Sequence, residues 1–248
     1  MLVIANGAQK SGSTWLFNII QNLIDFSDVP EDFLLDRKNP NSEIVYERLP
    51  EFLEKVDYSE TDYLLKNHFG RKEQRDVILG AQNTLVVNIK RDLRDAIVSA
   101  YYYNMMLTNK TRSFENYYWN EGRYLAGVIK NYHHNWESSP SSRVLFMSYE
   151  RLKADPVNEV IGVGRFLGFN TTRKKAQTAL EATSMENLRK KYKDEGEIKF
   201  FRKGTTGDWR NHFHGLALED IEEIDANGLK KSIPKRLLVK LMCLKHRH

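Results

Sequence analysis

The sequence predicts an α/β domain, a parallel sheet of about four to five strands with helices on both faces. Short apolar runs of strand type alternate along the chain with segments of helical spacing. The first such run passes through a small polar turn straight into an amphipathic helix. The length, 248 residues with 41% apolar and 29% charged side chains, suits one sizeable domain with a buried core, so residues 1–248 are read as a single domain.

In chain order, Leu2-Val3-Ile4-Ala5 reads as a buried strand. The turn from Asn6 to Thr14 then delivers Trp15, Leu16, Ile19, Ile20, Leu23 and Ile24 at helical spacing. Tyr63-Leu64-Leu65 is a second strand, ending at Lys66-Asn67-His68. Leu85 to Ile89 is a third, running through Arg91 into a helix that carries Ala96, Ile97 and Ala100. One long helix is expected from Ser113 to about Trp136, with Pro140 beyond its end. Val144 to Met147 is the fourth strand. Asp155-Pro156 opens a helix in cap-then-N1 order, and Gly168 closes it. Glu186 to His214 is dense in Lys, Arg, Gly and aromatics without a clean period, and reads as a long functional loop. The basic tail from Leu229 to His248 carries Leu237, Leu238, Leu241 and Leu244 on one helical face, and is read as a helix docked on the core rather than on a membrane.

Lys and Arg number 38 against 33 Asp and Glu, a net charge of +5. That mild excess suits an anionic small ligand at least as well as nucleic acid, whose binders carry stronger, clustered charge. Cys243 is the only cysteine, which excludes an intramolecular disulfide and a four-cysteine metal site. The run Leu2 to Ala5 is too short for a signal segment, and no stretch reaches the roughly 18 apolar residues of a spanning helix. A cytoplasmic protein without stable membrane insertion is expected.

Three segments carry anion chemistry. Gly7 to Trp15, between the first strand and its helix, contains Lys10, Ser11, Gly12, Ser13 and Thr14. Such a turn presents backbone N–H groups at the positive end of a helix dipole. The nucleotide-triphosphate P-loop places its Lys directly after the last Gly, whereas Lys10 precedes Gly12. On its own the segment reads equally as an anion site or as an ordinary connection. Arg91 and Ser99 flank the third strand's carboxyl end, where α/β proteins bind ligands, and Arg can grip phosphate with two parallel hydrogen bonds. Alone, Arg91 reads first as an ion-pair partner of Asp92 or Asp95. Arg202-Lys203-Gly204, followed by Gly207-Asp208-Trp209, is either a phosphate clamp or a solvated basic loop.

Taken together and in this order, the three segments resemble the PAPS-dependent sulfotransferases, most closely the cytosolic type; PAPS is 3′-phosphoadenosine-5′-phosphosulfate. Lys10 to Trp15 resembles that family's 5′-phosphosulfate loop. Val87 to Arg91 through Ser99 to Tyr102 resembles its 3′-phosphate element. Phe201 to Arg210 is similar to its R-K-G-x-x-G-D-W-K signature. The resemblance covers nearly the whole chain and implies a P-loop-type sheet, transfer of a sulfuryl group from PAPS to a small-molecule acceptor, PAP as product, and no metal.

It also implies site roles. Lys66-Asn67-His68 resembles the catalytic Lys-Thr-His strand end, so His68, which alone would read as structural, becomes the candidate base. An ordinary His titrates near ~6.5, neutral enough to take a proton. Lys10 and the amides from Ser11 to Thr14 would stabilise the leaving group, Lys66 the sulfonate, and Ser99 the 3′-phosphate while restraining Lys10. Arg91, Arg202, Lys203 and Gly204 would hold the 3′-phosphate; Trp15, Tyr149, Thr183 and Met185 would surround the adenine. The chain departs from the family at Asn67 for Thr, at Met185 where Phe is common, and at His214-Gly215 in place of the dimer motif's Thr-Val. A monomer or a non-standard dimer is therefore expected, and because the sequence begins almost on its first strand, the resemblance also implies a more open acceptor pocket. Alternatives are a P-loop nucleotide kinase and a non-catalytic nucleotide-binding protein. Tyr101 to Tyr103, Phe69, Tyr117, Tyr118 and His133-His134 either line the acceptor pocket or pack on the core, and the acceptor's identity is not legible.

Overall fold

The computed structural model describes residues 1–37, 41–193 and 202–229. Leu2 to Ala5 are fully buried and begin strand β1 (Leu2–Gly7), which lies inside a four-stranded sheet with β2 (Tyr63–Asn67), β3 (Thr84–Lys90) and β4 (Val144–Ser148). The order is β2-β1-β3-β4 and every pair is parallel. β1 is central because its neighbours cover both edges, so a run without polar alternation is tolerated on both faces.

The helices are α1 (Ser13–Gln21), α2 (Leu49–Lys55), α3 (Lys72–Gly80), α4 (Leu93–Thr108), α5 (Phe114–Tyr117), α6 (Arg123–Glu137), α7 (Tyr149–Ala154), α8 (Pro156–Phe166), α9 (Arg173–Ala182), α10 (Met185–Lys193) and α11 (Gly215–Asn227). The expected long helix from Ser113 is interrupted by a π turn, Tyr118–Gly122, between α5 and α6. Ser113 itself is the N-cap, its hydroxyl accepting from the Asn116 amide at 3.2 Å. The expected loop from Glu186 is a helix as far as Lys193, with a 3₁₀ turn at Asp208–Asn211. There the charged residues follow a helical face that buries Leu188 and Tyr192. The tail from Leu229 falls outside the described residues beyond Leu229 itself.

The described chain packs as two compact units, each with its own core. The first comprises Met1–Asp92 with Tyr132–Gly204 and holds the sheet. On one face, Val3, Ala5, Val87 and Ile89 meet Leu16, Phe17 and Ile20 of α1, Val160 and Val163 of α8, and Ala176 and Ala179 of α9. Alternation sends Asn6 and Asn88 to the other face. There the Tyr132 hydroxyl, on α6, donates to Asn88 Oδ1 at 3.2 Å. Trp136 is buried one turn further along and donates its Nε1–H to the Phe69 carbonyl at 2.6 Å.

The second unit comprises Leu93–Asn131 with the described residues from Thr205 onward. Its core is aromatic: the Phe213 ring lies edge-on to Phe114 and Tyr118 with centroids 4.7 and 5.1 Å away. Tyr118 donates to Asp220 at 2.7 Å, and Arg123 Nε reaches the same carboxylate at 3.0 Å. Burial raises the Tyr118 phenol far above its usual range, so it stays a donor to this carboxylate.

Trp136 anchors the segment that follows β2. Trp136→Ala should destabilise the protein by about 3–5 kcal/mol. Trp136→Phe, which keeps most of the packing but loses one hydrogen bond, should cost nearer ~1 kcal/mol beyond its small volume loss. Urea midpoints check this, and equal costs for the two variants would contradict it.

Candidate active site

All four strands end at one edge of the sheet, and each is followed by a candidate residue: Lys10 after β1, His68 after β2, Arg91 after β3 and Tyr149 after β4. This is the carboxyl edge at which open parallel sheets take ligands. Register explains the clustering. Asn6 is opposite both Asn67 and Asn88, so the three strands leave the sheet level with one another.

The loop after β1 turns sharply. Lys10 has φ 65 and Gly12 φ 99, both left-handed, and the Ser11 hydroxyl donates to the Ala8 carbonyl at 2.6 Å. Only Gly fits at 12, since a Cβ there would stand 2.6 Å from Tyr149 Cδ2 besides requiring that backbone. The turn feeds α1 without a side-chain cap from Gly12, so the first-turn amides of Ser13, Thr14 and Trp15 have no partner within the helix, the arrangement that can receive an anion. Arg91 reaches this loop, Nη1 donating to the Lys10 carbonyl at 3.4 Å, and its guanidinium lies 4.5 Å from the Tyr149 ring centroid. Trp15 meets Tyr149 edge-on at 5.8 Å. Gly204, at φ 62, closes the group: a Cβ there would collide with Met185 Cε and lie 3.6 Å from Tyr149 Oη.

Lys10, Gly12, Trp15, Arg91, Tyr149, Met185 and Gly204 are thus brought together around one tyrosine. Arg202 belongs to the same unit and is tied to α10, its carbonyl accepting from Arg189 Nη2, while Lys203 is exposed. Thr183 is buried and donates its hydroxyl to the Ala179 carbonyl at 2.8 Å, closing α9 rather than reaching outward. Ser99 sits half-buried on α4 in the second unit. There the Asp95 carboxylate accepts from the Gly207 and Trp209 amides at 2.6 and 2.9 Å. Asp95 therefore holds the Gly-Asp-Trp motif by its backbone, a role with no sequence signal because its partners lie over a hundred positions away. Trp209 lies between the Arg94 and Arg210 guanidinia, 3.7 and 4.5 Å from its ring.

His68 is the most constrained of these groups. Its Nδ1 lies 2.6 Å from the Gly7 carbonyl, which can only accept, so Nδ1 carries the proton. Nε2 is then the basic nitrogen, and Lys66 Nζ lies 3.3 Å from it. Lys66 is buried and also pairs with Glu43, a residue that sequence reasoning did not single out. Burial, then the Lys66 charge, pushes His68 down to about 4, although the Gly7 hydrogen bond and Glu43 pull the other way. The ring is accordingly neutral across the physiological range.

The undecided aromatics separate by burial. Phe69, Tyr101, Tyr117 and Tyr118 are core residues, whereas Tyr102 and Tyr103 are half-buried. His133 and His134 face different directions, half-buried and exposed respectively. Among the described residues no group of three or more His, Cys, Asp or Glu is arranged to hold a metal, and no helix is long and apolar enough to cross a membrane.

A histidine held neutral makes stability depend on pH with a definite sign. The folded value lies below the unfolded one, so the contribution is complete above about 6.5 and is lost as pH falls toward about 4. His68→Gln should flatten the fall in melting temperature between pH 7 and 4.5. In NMR titration the His68 ring should stay neutral to near pH 4, and Lys66→Met should raise its midpoint. An ordinary midpoint near ~6.5 would contradict the burial assigned to the ring.

Comparison with known proteins agrees with this geometry. The model of the sulfotransferase domain matches residues 2–232. Sulfotransferase 1E1 of Rattus norvegicus is 29% identical over 236 residues, covering 86% of this chain and 78% of its own. Human sulfotransferase 1C2 is 25% identical, covering 87% and 78%. In fold, the chain is similar to mouse sulfotransferase SULT7A1, solved with PAP, at TM-score 0.71 and 19% identity over 96% of this chain and 88% of that one. Retinol dehydratase, solved with retinol and PAP, superposes at TM-score 0.67 and 20% identity over 93% and 82%. With its sheet, its loop and its strand-end Lys and His all in the family's order, this chain belongs to the sulfotransferase family.

Proposed function

We propose that this sulfotransferase transfers the sulfuryl group of PAPS to a hydroxyl or amine of a small-molecule acceptor, with His68 as base. The observation that carries the reading is a neutral histidine with its unprotonated nitrogen facing a buried lysine, at the sheet edge that also carries helix α1 without a side-chain cap. The kinase and non-catalytic alternatives give way to the family match.

The donor suits the residues present. The amides of Ser13, Thr14 and Trp15, with Lys10, would receive the 5′-phosphosulfate. Arg91, Arg202, Lys203, the Gly204 backbone and Ser99 would hold the 3′-phosphate and so favour PAPS over ATP. Trp15, Tyr149, Thr183 and Met185 would surround the adenine; Thr183 would do so through its carbon atoms, its hydroxyl being turned into α9. Lys and Arg supply the positive charge that Mg²⁺ supplies in phosphoryl transfer, so the reading invokes no metal.

In the transfer, the acceptor oxygen or nitrogen forms a bond to sulfur while the bond from sulfur to the bridging oxygen breaks. That oxygen leaves with the electron pair on PAP, stabilised by Lys10 and the loop amides. The acceptor's proton goes to His68 Nε2, and Nδ1–H stays on the Gly7 carbonyl throughout. Lys66, turning to the sulfonate, uncovers Nε2 for this step. The reading extends to the whole chain acting as one catalytic domain in the cytoplasm, as a monomer or a non-standard dimer.

Saturating PAP at one hundred times its dissociation constant should add ~2.7 kcal/mol, a rise of roughly 5–10 °C in unfolding midpoint, with little response to AMP or ATP. A larger response to ATP with Mg²⁺ would overturn the donor assignment. His68→Ala should keep the PAP response while PAP release from PAPS, over a panel of phenols, alcohols and amines, falls roughly 10²-fold or more. Near-native release would remove His68 from the reaction.

A further inference from the structure

A short strap crosses the end of β2 and carries an acidic side chain into this otherwise basic centre. Asn41 is buried, and its Oδ1 accepts from the Tyr192 hydroxyl of α10, itself buried and accepting from Asn18 Nδ2 of α1 at 2.9 Å. Ser42 follows at φ 49, a left-handed conformation uncommon for a residue other than Gly. Glu43 comes next, with its carboxylate on Lys66 Nζ. Ile44 is then held in both directions by one side chain: its N–H donates to Asn67 Oδ1 at 3.4 Å, and its carbonyl accepts from Asn67 Nδ2 at 3.2 Å. Strain at 42, with fastening on either side at 41 and 44, fixes the residue between them.

Asn67 is the position at which the chain departs from the family's Lys-Thr-His strand end. A Thr hydroxyl carries its donor and its acceptors on a single oxygen, whereas the Asn67 amide sets an acceptor and a donor on separate atoms, one for each backbone group of Ile44. The departure and the acidic residue belong together, because the amide that replaces the hydroxyl is the group that seats Glu43.

We propose that Glu43 is a positioning residue of the transfer centre, aiming Lys66, and that Asn67 seats it there through Ile44. The inference rests on the reading of Lys66 and His68 given above. Lys66 is buried, its side chain 6% exposed, and a buried ammonium needs a partner. Glu43 takes one of its three N–H groups, so the ammonium stays anchored when the N–H facing His68 Nε2 turns to an incoming sulfonate. A carboxylate in an anion-binding centre does not help the donor bind; its negative charge opposes PAPS. Its contribution is therefore to turnover, and binding and turnover should respond to its removal in opposite senses.

The test combines Glu43→Gln, Asn67→Ala and the double variant. Two quantities are read: the thermal response to PAP, and PAP release from PAPS to the best acceptor of the panel or, failing one, to water. Glu43→Gln should keep or enlarge the PAP response while release falls roughly 5- to 100-fold. Asn67→Ala should act in the same sense but less, and should add little in the Glu43→Gln background, because the two act through one contact. Release within two-fold of native in Glu43→Gln would overturn the proposal, as would parallel loss of PAP response and release, the signature of mere structural support. A full further loss in the double variant would overturn the part assigned to Asn67. A native protein with neither PAP response nor PAP release would overturn the donor reading itself, and this proposal with it.

Discussion

Three buried asparagines at the carboxyl edge of the sheet govern how the site is assembled. Asn6, Asn67 and Asn88 stand level across β2, β1 and β3, and each is buried where an unmet amide would be costly. Asn6 meets the demand by bonding both backbone groups of Phe69, at 3.0 and 3.1 Å, and so fixes the chain just after His68. Asn67 does the same for Ile44 and the strap that bears Glu43. Asn88 accepts from Tyr132 and draws α6 against the sheet. Side-chain amides carry a donor and an acceptor at fixed spacing, so one side chain can hold both the N–H and the carbonyl of a single residue. The strand ends are rigid and the site is built on them.

The electrostatics follow from that rigidity. The loop after β1 is already bent through two left-handed residues, and Gly12 gives the first turn of α1 no side-chain cap, the arrangement that suits an anion. His68 is neutral for a different reason: the same burial that orders the strand end opposes a charge on the ring, and the neighbouring ammonium adds to it. One acidic side chain, Glu43, opposes this: it pairs with the Lys66 ammonium and pulls the ring's value upward.

The aromatic residues divide along the same physical line. Tyr118 and Phe213 pack edge-to-face and fix the second unit, while Tyr149, buried in the core of the first, also offers its ring to Arg91 and Trp15. Composition treats these rings alike; only their neighbours differ. The sulfotransferase family membership accounts for the order of the three motifs along the chain.

The sequence by itself determined the sheet, the turn after β1, the order of the donor motifs and the candidate pair Lys66 and His68. These are local properties: apolar runs bury themselves as strands, glycines allow left-handed turns, and signature residues keep their spacing. The extent of α10, the π turn before α6, the Asp95 carboxylate on the Gly207 and Trp209 amides, and the placement of Glu43 were decided by the tertiary structure alone. Each depends on partners far apart in the chain, where no period or motif links them. The protonation of His68 belongs with these, since its pKa is a property of what surrounds the ring and not of the residue.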